Sequence, residues 1–210
     1  MCGKYYADRE FIPRLSTLFR DEGITIDPEL REEWESVLLD SDASEMDISP
    51  TDSAVTISMS DDGLAASRMK WGFRDPYHDS LVINARSESA AEKSMFADCI
   101  RERRCVIPAS GYYEWDRSKS RYRFMKPDGG LVLLAGIYRK ELNAPHFTIL
   151  TTEANECMKS VHPRMPVTIE QNEIRKWITD RDSVSELLGR KQEELIREQD
   201  SGQMAMDLGI

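Results

Sequence analysis

Hydrophobic and polar positions alternate in short runs along most of this chain. Val55 to Met59 alternates as a half-buried strand does, Asp61-Asp62-Gly63 supplies a turn, and Ala65 to Trp71 resumes an extended run. The same brief runs recur from the start to about Tyr6 and at Leu81–Ala85, Cys105–Pro108, Gly111–Asp116, Arg121–Met125 and His146–Thr152. Leu131 to Arg139 differs, because it is almost wholly apolar and follows the strong turn Pro127-Asp128-Gly129-Gly130. A strand apolar on both faces belongs in the middle of a fold.

Helical spacing is confined to shorter stretches. Pro13 to Arg20 predicts a short helix, and Asp27-Pro28 reads as an N-cap with proline at the first helical position, opening an acidic helix to about Leu38. Asp40 to Ser53 reads as a polar, acidic loop. Ser87 to Arg103 places Ala90, Met95, Phe96, Cys99 and Ile100 at helical intervals. Further helices are predicted from Glu153 to Lys159, from a capping box at Thr168 and Gln171 through Ile178, and from Val184 to Gln199. Many strands with short helices between them predict an α+β fold, mostly antiparallel sheets forming a barrel-like core with helices packed around it. At 210 residues that is one domain, set at 1–200, with 201–210 as a mobile tail.

Composition narrows the class without naming a function. With 40% hydrophobic and 31% charged residues the chain is an ordinary globular protein, and no apolar run is long enough to span a membrane. The four cysteines, at 2, 99, 105 and 157, form no CxxC pair, and the three histidines, at 78, 146 and 162, do not fall at zinc spacing with them. No metal and no organic cofactor is expected, and a reducing cytoplasm fits, since the N-terminus has no apolar signal region. The net charge of −10 argues at first against nucleic acid. Its distribution changes that: residues 1–62 carry −11, residues 63–167 carry +5, and residues 168–210 carry −4. Arg101, Arg103, Arg104, Arg117, Lys119, Arg121, Arg123 and Lys126 crowd one basic stretch, which leaves room for a basic groove.

The chemistry begins at Met1-Cys2-Gly3. Once Met1 is removed, Cys2 carries a free α-amine and a thiol two carbons apart. Such an amine, with a pKa of about 7.7–8, is partly neutral at physiological pH and condenses with an aldehyde to an imine. The thiol can then close on the imine carbon to give a five-membered thiazolidine. Trp71-Gly72-Phe73, Ile83-Asn84-Ala85-Arg86-Ser87-Glu88, Gly111-Tyr112-Tyr113-Glu114-Trp115 and His162-Pro163-Arg164-Met165-Pro166 likewise place polar groups at strand ends and loops, where scaffolds hold working residues.

In this order, with Cys105-Val106-Ile107-Pro108-Ala109 before the tyrosine segment, these motifs resemble the SOS-response-associated peptidase family over roughly residues 1–180. The resemblance implies a protein that binds single-stranded DNA and links its N-terminal cysteine covalently to abasic sites. It implies catalytic roles for Cys2, Asn84, Glu114 and His162. His162 suits acid–base work near neutrality, Glu114 suits holding the amine and activating water to release Met1, and Asn84 can donate to a developing oxyanion. Taken singly, a His before Pro is a structural hydrogen bond and a strand Glu is a surface carboxylate.

The resemblance further implies a DNA-binding set of Lys4, Pro50, Trp71, Tyr77, Arg86, Trp115, Thr151, Arg164 and Met165. Arg86 and Arg164 would hold phosphates with guanidinium forks, and Trp71, Trp115 and Tyr77 are candidates for stacking on bases, with core packing the favoured reading for Trp71. Pro50 matches a loop that in the family reads Asn-Val-Ala-Pro, with Asp47 here in place of the Asn; Lys4 replaces the family's Arg, and the family's closing Val-Asn-rich motif and strand are missing after residue 180. The expected partner is single-stranded DNA with abasic sites, bound by a monomer that in a bacterium would gather at the nucleoid. Weak abasic-site lyase activity would accompany the imine. Two other readings stay open: a cysteine-type N-terminal-nucleophile peptidase or amidohydrolase acting on peptides, and a non-catalytic interaction module built on the acidic N-terminal third.

Overall fold

The computed structural model describes residues 2–32, 45–141 and 144–200. Its centre is a closed five-strand barrel. Strands β4 (Ser53–Ser60), β5 (Gly63–Trp71), β9 (Arg104–Ala109), β12 (Val132–Glu141) and β13 (Ala144–Glu153) run in the order β13-β12-β9-β4-β5, and β5 returns to pair with β13 through His146–Lys70 and Phe147–Trp71. Every neighbour pair in the ring is antiparallel except that closing one. The apolar run of β12 lies between β9 and β13, and Val132 to Ile137 are buried there. Gly136 is required in it: a Cβ at that position would lie 2.4 Å from Ile107 Cδ1 and 3.2 Å from the Thr148 carbonyl.

A five-stranded sheet lies against the barrel in the order β15 (Ile196–Gln199), β11 (Arg121–Met125), β10 (Gly111–Trp115), β1 (Lys4–Asp8), β3 (Glu45–Ile48). The helix α1 (Phe11–Glu22) turns Phe11, Leu15, Leu18 and Phe19 inward at helical spacing. It ends at Gly23, whose φ of +62° lets the N–H groups of Gly23 and Ile24 reach the carbonyls of Arg20 and Phe19. The short strands β2 (Thr25–Ile26), β6 (Phe73–Arg74), β7 (Leu81–Val82), β8 (Asn84–Arg86) and β14 (Arg164–Pro166) complete the edges; β8 and β14 both attach to β13. Among the described residues no helix is long and apolar enough to cross a membrane.

Several sequence expectations need correction. The acidic loop predicted at 40–53 contains β3, paired with β1 from Tyr5–Ile48 to Asp8–Glu45. The helix predicted over 87–103 is two, α2 (Ser87–Ala90) and α3 (Ser94–Glu102), broken at Ala91–Lys93. Glu153–Lys159 is a chain of turns, because β13 runs on to Glu153. The capping box sits two residues later than predicted, between Glu170 and Glu173, because Thr168 is bridged to Leu134; the helix that follows is α4 (Ile174–Thr179). The final helix stops early, as α5 (Val184–Gly189), and the chain then extends into β15 against β11. That strand supplies an edge at the place where the family's closing strand was expected to be missing. Residues 28–32 are helical; the remainder of the predicted acidic helix, to Leu38, and the tail from 201 fall outside the described residues.

Candidate active site

The site forms where the two sheets meet. Antiparallel pairing of β1 with β10 sets Lys4 opposite Tyr113 and Tyr5 opposite Tyr112, so Cys2 arrives beside the end of β10 that carries Glu114. Parallel pairing of β8 with β13 sets Asn84 opposite Ile149 and Arg86 opposite Thr151. On the other side of β13, β14 places Arg164 opposite Glu153 and Met165 opposite Thr152. The tip of β1, the end of β10 and the β8–β13–β14 edge thereby converge.

The Asn84 side-chain Nδ2 donates to the Cys2 carbonyl at 2.8 Å, and Asn84 Oδ1 is buried with no hydrogen-bond partner among the described residues. Cys2 is fully buried, its thiol 3.8 Å from the Lys4 carbonyl. Burial pushes the thiol pKa well above its usual range, and the negative charge of Glu114 adds to the shift. Burial thus favours the protonated thiol over the thiolate. Glu114 is only 2% exposed, and burial raises its carboxyl pKa against the pull of neighbouring positive charge that includes His162. His162 Nδ1 lies 3.0 Å from both the backbone N and the carbonyl of Arg164, so the main chain fixes the imidazole plane. Cys2, Asn84, Glu114 and His162 are thus gathered in one crevice from four separate segments.

The predicted DNA-binding residues divide by exposure. Tyr77 is 86% exposed, on the loop between β6 and β7, and Arg86 is exposed at the end of β8. Trp115 and Pro50 are half-buried at the rim. Lys4 is paired with Asp47 at 2.9 Å, so the two departures from the family pattern neutralise each other. Arg164 gives both ends of its fork to Glu88, at 2.7 and 2.8 Å, and also donates to the Thr151 carbonyl. Thr151 and Met165 are fully buried, the threonine hydroxyl 3.4 Å from the Ala85 carbonyl and the Met165 sulfur accepting the Asn155 N–H. Trp71 is also fully buried, with Tyr5 at 5.2 Å on one side, Phe147 at 6.1 Å on another and its indole N–H on the Ile83 carbonyl. A base cannot stack on that ring without displacing one of them.

Sequence reasoning passed over Tyr5 and Tyr112. Both are buried, both hydroxyls lack a hydrogen-bond partner among the described residues, and burial raises the pKa of both. Tyr112 stands two residues before Glu114 on one strand, a spacing that turns both to the same face and was readable in the sequence. Tyr5 could be placed only by the β1–β10 register. Glu88, which holds Arg164, was likewise seen only as part of a motif. Among the described residues no three His, Cys, Asp or Glu side chains gather as metal ligands.

Known proteins carry the same arrangement of sequence and fold. The SOS response associated peptidase family matches over residues 1–206. The abasic site processing protein YoqW of Bacillus subtilis is 31% identical over 160 residues, covering 67% of this chain and 71% of its own. The abasic site processing protein YedK of Escherichia coli is 24% identical over 188 residues, 85% of this chain and 79% of its own. In three dimensions, a crystal structure of a Bordetella bronchiseptica protein superposes with a TM-score of 0.74 at 21% identity, over 95% of this chain and 99% of that one.

Proposed function

The chain belongs to the SOS response associated peptidase family, and from that premise we propose that it processes abasic sites in single-stranded DNA, removing its own Met1 and joining Cys2 to the damaged sugar as a thiazolidine. The observation that carries this reading is the Asn84–Cys2 hydrogen bond at 2.8 Å, which pins the second residue of the chain beside a buried carboxylate.

Burial of the thiol, which favours its protonated form, supports the amine as the first nucleophile in the proposed order. A protonated sulfur is a poor first nucleophile, so the neutral α-amine attacks C1′ of the ring-opened sugar and forms a carbinolamine. Loss of one water gives the imine, with His162 delivering the proton that the departing hydroxyl needs. The sulfur then adds to the imine carbon while its proton passes to nitrogen, closing the ring. The net change is one aldehyde plus one aminothiol going to one thiazolidine and one water. Removal of the C2′ proton from the imine would instead expel the 3′ phosphate by β-elimination, the source of weak lyase activity; ring closure competes with that route. Release of Met1 is hydrolysis of the Met1–Cys2 peptide, with Glu114 taking the proton of the attacking water. No step draws on a metal or organic cofactor.

Incubation of the purified protein with abasic single-stranded DNA and, separately, with generic peptides tests this reading. A denaturant-resistant DNA adduct that disappears in Cys2→Ala is expected. Peptide turnover without any adduct would replace the proposal with an N-terminal-nucleophile peptidase.

A further inference from the structure

The basic stretch between residues 101 and 126 is almost entirely committed inside the protein. Arg101 pairs with Asp98 at 2.7 Å, and the buried Arg104 donates to the Ile178 carbonyl at 3.0 Å. Arg121 and Arg123 hold Asp200 at 2.7 and 3.2 Å, Arg123 also holds Glu45 at 2.8 Å, and Lys126 lies between Glu170 and Glu193. Arg117 and Lys119 are the exceptions: both are exposed, and no ion pair among the described residues engages either, but of the two it is Arg117 that lines a cleft.

Its position is what matters. Arg117 follows Trp115 by two residues, in the turn between β10 and β11, and lines a cleft of about 430 Å³ with Ser118, Lys159, Ser160 and Pro163. The opposite wall is the segment that ends at His162, wound back on itself by the His162 N–H donating to the Met158 carbonyl at 3.0 Å. Val161 and Pro163, the neighbours of His162 on either side, and Asp116, two residues after Glu114, belong to the lining of the cleft. Its one lining carboxylate is turned into the loop: Asp116 Oδ1 accepts from the Ser118 N–H at 2.8 Å, the Ser118 hydroxyl at 2.7 Å and the Ser120 N–H at 2.9 Å. Arg197 donates to the Ser160 hydroxyl at 2.5 Å and adds a further cation at the edge. Lys159 is paired with Glu156 at 2.6 Å, but both are largely exposed, so that pair is cheap to exchange for another anion.

We propose that this cleft is a phosphodiester subsite that takes the backbone of the single strand on one side of the abasic nucleotide, with Arg117 as its principal contact. The chemistry fits a polyanion, because a guanidinium fork and a lysine converge on a space with small hydroxyl side chains and no uncommitted carboxylate in its lining. This inference rests on the abasic-site reading above and extends it to the path of the strand.

The test uses the full chain and three single-stranded oligonucleotides, with the abasic site central, at the 5′ end or at the 3′ end. Arg117→Gln should keep the thermal midpoint and the maximal crosslinking rate at saturating DNA. It should weaken binding about three- to tenfold on the central substrate and on one terminal substrate, with the other unchanged, and lower the salt slope by about 0.7. Lys159→Gln should act in the same direction on the same substrates. Wild-type affinity for all three oligonucleotides in Arg117→Gln would overturn the subsite, and equal weakening on both terminal substrates would reduce it to a general charge effect. Failure of the wild-type protein to form any adduct would instead strike the functional reading on which the subsite rests.

Discussion

At the scale of residues, the account turns on a carboxylate held where water cannot solvate it. Burial raises the Glu114 pKa, so its ionised form is the costly one in the folded state. The linkage sign follows: the folded protein binds this proton more readily than the unfolded chain does, and stability from this group is lost as pH rises through the folded value. Glu114→Gln should therefore raise the thermal midpoint at neutral pH, by on the order of 2–4 °C, in differential scanning fluorimetry. The same variant should keep Met1, visible as the mass of one extra methionine. In the wild-type protein, the rate of Met1 release should fall on the acid side at a pH above the ordinary carboxylate range, since a base must be deprotonated to act. Full processing in Glu114→Gln would remove Glu114 from that role. The fold gathers Cys2, Asn84, Glu114 and His162, the grouping that the family resemblance implies. The hydroxyls of Tyr5 and Tyr112 were not legible in the sequence, because a buried tyrosine and a buried phenylalanine look alike until strand register shows what the hydroxyl faces. Trp71 illustrates the converse, an aromatic in a working motif whose ring the fold encloses.

Elements were readable wherever local pattern and tertiary demand agree. The apolar run 131–139 fell in the barrel, and the turn at 61–63 joins β4 and β5 as its residues require. The segment after Gly189 was misread for a physical reason. Leu187, Leu188, Leu195 and Ile196, set among charged residues, imitate an amphipathic helix, whereas β15 is an exposed edge strand whose only determinant is pairing with β11 about seventy residues earlier. Helix α3 was anticipated, but its break from α2 was not. Within β10, Gly111 has a defined steric duty: a Cβ there would lie 2.5 Å from the Phe124 carbonyl and 2.6 Å from the Tyr6 hydroxyl. The backbone contact cannot be relieved by a rotamer change. Gly111→Ala should destabilise the protein by about 1–3 kcal/mol and slow crosslinking together with it, since β10 carries both Tyr112 and Glu114. Urea denaturation of the variant measures the first effect, and a wild-type midpoint would contradict the close approach.

For the whole molecule, net charge hides an uneven distribution along the chain. The −10 total conceals a basic middle in which Arg121 and Arg123 tie the five-stranded sheet to Asp200 and Glu45. Lys4, at the start of β1, is held by Asp47 in a partly exposed pair that contributes little to stability. Asp47→Asn should release it, tightening binding to single-stranded DNA by up to about fivefold at low salt and steepening the salt dependence. Fluorescence anisotropy across a salt series reads both, and unchanged affinity at every salt concentration would exclude Lys4 from the DNA path. The central claim, that one terminal aminothiol captures the sugar, is tested most directly by intact mass and peptide mapping of the protein after incubation with an abasic oligonucleotide. The account predicts a species lacking Met1, equal in mass to the processed chain plus the oligonucleotide less one water, with the attachment on Cys2. An adduct on any other residue, or one on a chain that still carries Met1, would contradict it.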